Sequence, residues 1–388
     1  MDAAKTLSDR IAGSLAVSAL GDAMGLPHEG RGLRGEIAPD TNTCDPFELP
    51  AADDFRGEQG DPWNIWPPAS LTPGMRGVVS DDTAIRVALI EPWLADAFAR
   101  GISADRLNED DWLDWLTRRR LPDPEPWREA MIAEHAKQWP AMFALANGAA
   151  PGCGDGPCFF RPGVPVCFGY FLFAELALLF TDRPTPEVFD RFQGFSRLDQ
   201  DDAKAMTGVV AALIARTANP TSPSASLLEH WKYVVIELAQ TGRLNNALLE
   251  QVFLQPAEIG EHARSLSRHE FLTRVYTDIY HHPTLAPSHE LKPFDPMLQL
   301  AQLSAYVAYA GDDPWLALKL ATLGPGDTDT LAATLGLIIG ANAGYTACLA
   351  SPPGTSLATV EASTEAIFGR DLPERAKTVR QFAVGDVH

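Results

Sequence analysis

Apolar residues recur at three- and four-residue spacing over most of the chain, the period of a helix with one buried face. The first run is Leu7, Ile11, Leu15 and Ala19, with Gly13, Ser14 and Ser18 between them. Small residues on that helix predict that another backbone comes close. Asp110 to Arg120 begins with acids, ends with three arginines and is followed by Leu121-Pro122. That charge order complements a helix dipole, and the proline stops the helix. Arg118, Arg119 and Arg120 therefore read as a C-terminal cap. Further helices are expected at 126–146, 167–180, 201–217, 224–241, 244–253, 268–280, 296–309, 314–323, 329–349 and 364–368. Strand-like alternation is scarce. Residues 30–80 differ: they are rich in Pro, Gly and Asp, hold Trp63 and Trp66, and show no period. This stretch reads as a long irregular excursion over the surface, the kind of loop that serves as a lid or binding element. No repeat or linker divides the chain, so one all-α domain over residues 1–388 is expected.

Two apolar stretches mimic membrane spans. Cys167–Phe180 is too short to cross a bilayer and carries Glu175. Leu331–Ala350 is long enough, but Asn342, glycines and threonines interrupt it, so it reads as a buried helix. Composition narrows the picture further. With 388 residues the chain can bury about three-quarters of its unfolded surface and needs no disulfide to fold. Its 31 basic and 51 acidic residues leave a net charge of −20, and no basic tract tracks a phosphate backbone, which argues against nucleic acid. Five cysteines, an odd number, suit a reducing compartment, and the polar N-terminus is neither a signal nor a transit peptide. A cytoplasmic monomer is expected.

Two polar knots each open an apolar helix: Ser80-Asp81-Asp82-Thr83 and Gly326-Asp327-Thr328-Asp329-Thr330. Helix capping explains one acid or hydroxyl in each. Two carboxylates within three positions ask for more, because such acids repel one another unless a cation or proton sits between them. Oxygen-only donors suit Mg²⁺ or Mn²⁺. If the knots face one another they could hold two ions about 3.5–4 Å apart. Other clusters carry less. His281, His282, His289 and Glu290 fit no zinc spacing, and Cys153, Cys158 and Cys167 read as ordinary thiols. Trp112 and Trp115 read as packing residues; Trp63 and Trp66 lie in the excursion. No nucleophilic Ser or Cys elbow is visible, so no covalent intermediate is expected.

Three motifs in order carry a resemblance. Ile11-Ala-Gly-Ser-Leu-Ala-Val-Ser-Ala-Leu-Gly-Asp-Ala-Met-Gly25, followed by Leu-Pro-His-Glu29, resembles the opening motif of the ADP-ribosylglycohydrolases. Ser80-Asp-Asp-Thr83 resembles their [ST]-D-D-T motif, and Gly326-Asp-Thr-Asp-Thr330 with LAATLGLIIGANAGY their G-D-T-D-T motif. The resemblance implies an all-α orthogonal multi-helix bundle of the ADP-ribosylglycohydrolase type, holding two Mg²⁺ or Mn²⁺ ions in a cleft. Ser80, Asp81 and Asp82 would serve one metal, Asp327 and Thr330 the other, and Asp329 would bridge. Glu29 would lie on a flexible segment over the substrate and touch a metal or position water. Asp22 would be structural. Glu29, Asp327 and Asp329 would be catalytic, releasing ADP-ribose from an ADP-ribosylated protein or small molecule.

The middle of the pattern departs. Where the family carries Gly-Asn-Gly near the ADP-ribose, this chain has Gly154-Asp155-Gly156, and where a Thr-His pair helps hold the nucleotide it has Asp199-Gln200. Gly154, Asp155, Gly156 and Gln200 are the expected substrate contacts, yet an acid in the glycine loop works against a diphosphate. The metal ligands are untouched by these changes. The departures keep two alternatives in view: a non-catalytic member that binds ADP-ribose or a protein, and a hydrolase of another ribosylated nucleotide.

Overall fold

The computed structural model describes residues 3–29, 32, 37, 47, 49–55, 72–118, 167–195, 201–222, 225–283, 285 and 292–383. The expected all-α architecture is what it shows: the described residues form helices, with a single isolated bridge between Ala51 and Arg76.

Two helices make the spine. α1 (Ala3–Gly25) and α13 (Thr328–Ala343) are apolar on nearly every side, so both run through the interior, and they pack on each other more extensively than any other pair. The small residues of α1 permit this. Ser14 Oγ donates to Leu337 O at 2.8 Å and Ser18 Oγ to Ala333 O at 2.9 Å, so hydroxyls bond directly to the partner backbone. A Cβ on Gly21 would lie 2.2 Å from Ala332 O. Only glycine fits that crossing.

Around the spine the chain forms α2 (Asp81–Ile85), α3 (Glu91–Ala99), α4 (Glu109–Arg118), α5 (Phe168–Phe173), α6 (Thr185–Gln193), α7 (Asp201–Ala218) and α8 (Leu227–Gln240). It continues through α9 (Gln255–His262), α10 (Arg268–Arg274), α11 (Pro296–Ala310), α12 (Pro314–Leu323), α14 (Tyr345–Leu349), α15 (Gly354–Phe368) and α16 (Leu372–Ala383). α7 packs on α6 and α13, α9 on α11, and α16 on α1 and α3. Trp112 is fully buried on α4, edge-on to Phe173 at 5.3 Å, and Trp115 is buried beside it, so both act in packing. Arg118 Nε donates to Asp114 O at 3.0 Å near the end of α4; Arg119 and Arg120 lie outside the described residues.

Several boundaries differ from expectation, each for a local reason. The helix expected at 244–253 continues to His262 through a wide turn, Leu249–Leu254, in which Gln255 N–H reaches Glu250 O. The same device, Glu91 N–H to Arg86 O, precedes Pro92. In both places the five-residue bond falls immediately before a proline that has no N–H to give. The helix expected over 329–349 breaks at Gly344, which has φ +81, and resumes as α14. Asp9 Oδ1 accepts from Thr346 N at 3.0 Å and Thr346 Oγ1 at 2.7 Å, capping the new helix from α1. α15 is longer than the expected 364–368, and α16 went unforeseen. Within 30–80, the described Phe47, Leu49 and Ala52 are buried rather than spread over the surface: Phe47 meets Trp315 edge-on at 6.1 Å, and Arg76 donates to Leu49 O at 2.6 Å. Trp63, Trp66 and the helix expected at 126–146 lie outside the described residues.

Among the described residues no helix is long and apolar enough to cross a membrane. Cys167 and Cys348 are buried; Cys44, Cys153 and Cys158 lie outside the described residues.

Candidate metal centre

Each of the two polar knots opens a helix, and α1 brings them together. Ser80, in extended backbone conformation, caps α2, its hydroxyl accepting from Asp82 N at 3.3 Å. Asp22, fully buried on α1, accepts from Ser80 N at 2.7 Å and Thr83 N at 2.9 Å, so one carboxylate holds the whole first turn. Asp327 stands at the N-cap of α13, followed by Asp329 and Thr330 in the first turn. Thr328 Oγ1 donates to Gly25 O at 2.9 Å, tying this turn to the end of α1.

The chain after α1 is pinned to the same turn. It forms a short 3₁₀ segment, Leu26–His28, with Glu29 at its end. Gly326 N then donates to Gly32 O at 2.8 Å. Glu29 thus sits between two ties to the Gly326–Thr328 turn and is buried.

The result is two groups of carboxylates. Glu29, Asp327 and Asp329 each offer an oxygen within 4.8 Å of the others, and so do Asp81, Asp82 and Asp329. Asp329 belongs to both. Among the described residues these are the only such clusters of His, Cys, Asp or Glu. Asp82, Asp327 and Asp329 are buried, while Asp81 keeps partial exposure at the rim. Thr330 Oγ1 donates to Asp82 Oδ2 at 2.9 Å, closing the gap between the knots.

Electrostatics follow from that packing. Burial pushes Asp81 up to about 8, and the charges of Asp329 and Asp22 push the same way. Asp22 rises to about 6 through burial and Asp329, with its bonds to Thr83 and Ser80 opposing the rise. Burial and Asp329 hold Asp327 well above the carboxylate range. Asp82 is also well above it, chiefly through burial, although Arg86 works in the other direction. A donor set of crowded, desolvated carboxylates fits hard divalent cations, which would supply the missing positive charge.

A pH consequence follows. A carboxyl raised by folding stabilises the folded state at low pH, and that contribution is lost as pH climbs towards the folded value. For Asp22, Asp81 and the buried Glu175, itself pushed up to about 8 by burial and then by Glu91, the window runs from about 4 to about 8. In chelator, the melting temperature is expected to fall between about pH 4 and about pH 8, and Mg²⁺ is expected to offset most of the fall at the upper end. Melting curves across pH with and without the ion check this; a rise with pH in chelator would contradict it.

Two contributors carried little signal in the sequence. Arg86, the lone base in an apolar run, lies four residues after Asp82, and its Nη2 donates to Asp82 Oδ1 at 3.2 Å. That spacing is the helical ion-pair spacing and was the available clue. Gln299 on α11 donates to Asp327 Oδ2 at 3.5 Å and to Pro293 O at 3.0 Å, while Tyr170 O–H donates to its carbonyl oxygen. Nothing local marks Gln299. Gly154, Asp155, Gly156 and Gln200 lie outside the described residues. So do His289 and Glu290, while His281 packs against Tyr276 and Tyr280.

A family model described as ADP-ribosylglycohydrolase matches residues 3–379. A solved structure titled "ADP-ribosylglycohydrolase-related protein complex" superposes with a TM-score of 0.53 at 19% identity, covering 98% of this chain and 99% of that one, a likeness of fold. No curated protein matches the chain.

Proposed function

The chain belongs to the ADP-ribosylglycohydrolase family, and from that premise we propose that it hydrolyses the glycosidic bond at the anomeric carbon of an ADP-ribosyl group, releasing ADP-ribose from a modified protein or small molecule. The observation that carries this reading is the pair of carboxylate groups sharing Asp329. Two Mg²⁺ or Mn²⁺ ions would be held there, one by Asp81, Asp82 and Asp329 with Ser80 beside them, the other by Asp327 and Asp329 with Thr330, and Glu29 would lie next to the second. Bound divalent cations supply Lewis acidity: they polarise oxygen atoms and acidify water.

The chain's own residues have separate tasks in this reading. Asp22 and Thr330 hold the two knots in register. Glu29, buried beside Asp327 and Asp329, takes the proton of the attacking water, a contribution of roughly 10²–10⁴-fold. The water oxygen bonds to the anomeric carbon, and the electron pair of the glycosidic bond leaves with the acceptor. Gly154, Asp155, Gly156 and Gln200 contact the nucleotide portion. The odd cysteine count supports a reducing, cytoplasmic setting.

The test is a panel of ADP-ribosylated compounds differing only in linkage, assayed with Mg²⁺, with Mn²⁺ and with chelator. Turnover of at least one linkage is expected with the ions, lost in chelator and regained when ions are returned. Turnover that survives chelation would contradict the metal reading. The acid at Asp155 favours one second reading, a non-catalytic ADP-ribose binder. Binding of ADP-ribose without turnover of any linkage would select it.

A further inference from the structure

The two carboxylate groups do not meet the same surroundings. Arg86 is buried, and every polar arm of its side chain is directed at a partner. Nη1 donates to Ser18 Oγ at 2.6 Å, Nε and Nη2 each to Phe171 O at 3.4 Å, and Nη2 to Asp82 Oδ1 at 3.2 Å. Ser18 is itself held on α13 by its bond to Ala333 O, so the guanidinium is anchored to the spine. Asp82 Oδ2 accepts from Thr330 Oγ1. Both oxygens of Asp82 therefore have donors, one of them cationic. Asp327, in the other group, accepts from the neutral amide of Gln299.

Near Arg86 is Glu175, fully buried, with no hydrogen-bond partner on either carboxylate oxygen among the described residues. It lies within electrostatic reach of Arg86, Glu91, Arg370 and Arg375. Glu91 is already engaged by Arg375 at 2.7 Å and Arg370 at 3.1 Å. Burial favours the neutral form of Glu175, and the carboxylate that Arg86 touches is Asp82.

We propose that Arg86 is a built-in counter-cation for Asp82, a positioning residue that weakens divalent-cation binding at the Asp81–Asp82–Asp329 position, so that this position fills second. A fixed guanidinium against one of three ligands repels an arriving cation and competes for a ligand oxygen. The enzyme would then respond to divalent-cation concentration through the filling of that one position. The inference rests on the metal reading above and deepens it.

The test uses the full chain titrated with Mn²⁺, free ion being followed by electron paramagnetic resonance. The native protein is expected to bind two ions in separate steps. Asp81→Asn, which touches only one group, should remove the weaker step. Arg86→Gln should tighten that step by about tenfold or more, whereas Arg86→Lys, which keeps the charge, should leave it within about threefold. If the single Gln variant fails to fold, Arg86→Gln combined with Glu175→Gln replaces the guanidinium and the neighbouring buried carboxyl together and carries the same expectation. A native protein that binds no divalent cation fails the metal reading itself. A native protein that binds two ions with equal affinity, loss of the tighter step in Asp81→Asn, or an unchanged weaker step once Arg86 has lost its charge overturns this inference alone.

Discussion

Asp329→Ala is expected to lower cation-dependent turnover by roughly 10³-fold or more, because it removes the one carboxylate common to both groups. Loss of a carboxylate specific to one group leaves the other group intact; loss of Asp329 leaves neither. The companion variant Asp329→Asn separates chemistry from folding. The negative charge of Asp329 is a cause of the raised values at Asp22, Asp81, Asp82 and Asp327. Neutralising it relieves that repulsion, so in chelator the variant is expected to melt above the native protein. Each kcal/mol gained is about 1 °C for a chain of 388 residues. With Mg²⁺ the order reverses. An ion at one hundred times its dissociation constant stabilises the native protein by about 2.7 kcal/mol, a gain the variant should largely lose. Melting scans with and without the ion, alongside the turnover assay, decide the matter. Native-like activity in Asp329→Ala, or a native-sized shift with Mg²⁺ in Asp329→Asn, would remove Asp329 from the centre.

Gly25→Ala is the second large effect, and it acts without touching a charge. A Cβ at Gly25 would lie 2.5 Å from Asp329 Cα and 2.5 Å from Thr328 O. Both are backbone atoms, so no side-chain rotation relieves the clash; either the end of α1 or the first turn of α13 has to move. Overpacking of this kind costs about 1–3 kcal/mol. The displacement falls on the residue that joins the two groups, and a shift of about 1 Å at reacting geometry costs about 10²-fold. The expected result is a folded, somewhat less stable enzyme with turnover down about a hundredfold and weaker cation binding. Ordinary cation affinity and turnover in Gly25→Ala would show that the helix crossing tolerates more slack than the structure allows.

The helical character of the chain was legible because its cause is local. The three- and four-residue spacing, the prolines at helix starts and the acids in first turns act within a few residues of themselves. The errors fell where a distant partner intervenes. Gly344 ends α13 because Asp9, on α1, caps the helix that follows. Pro256 does not stop its helix because the preceding turn widens to spare the missing N–H. The burial of Phe47 and Leu49 depends on helices far along the chain and has no periodic signal of its own.

The candidate site divides in the same way. Two acids flanked by hydroxyls in each knot can be recognised without coordinates, since like charges so close on one chain demand a counter-charge. The order of the motifs pointed to the family, and the family model agrees over residues 3–379. Which acids share a neighbourhood is a different kind of fact. It depends on α1 lying against α13 closely enough for Asp22 to hold the first turn of α2, for Gly25 to abut Asp329, and for Thr330 to reach Asp82. Residue types alone set the charge, the helical periods and the oxygen-rich donor set. Tertiary packing alone set the sharing of Asp329, the seat of Glu29 and the placing of Arg86 against Asp82, because each is a distance between segments that the chain's local chemistry leaves free.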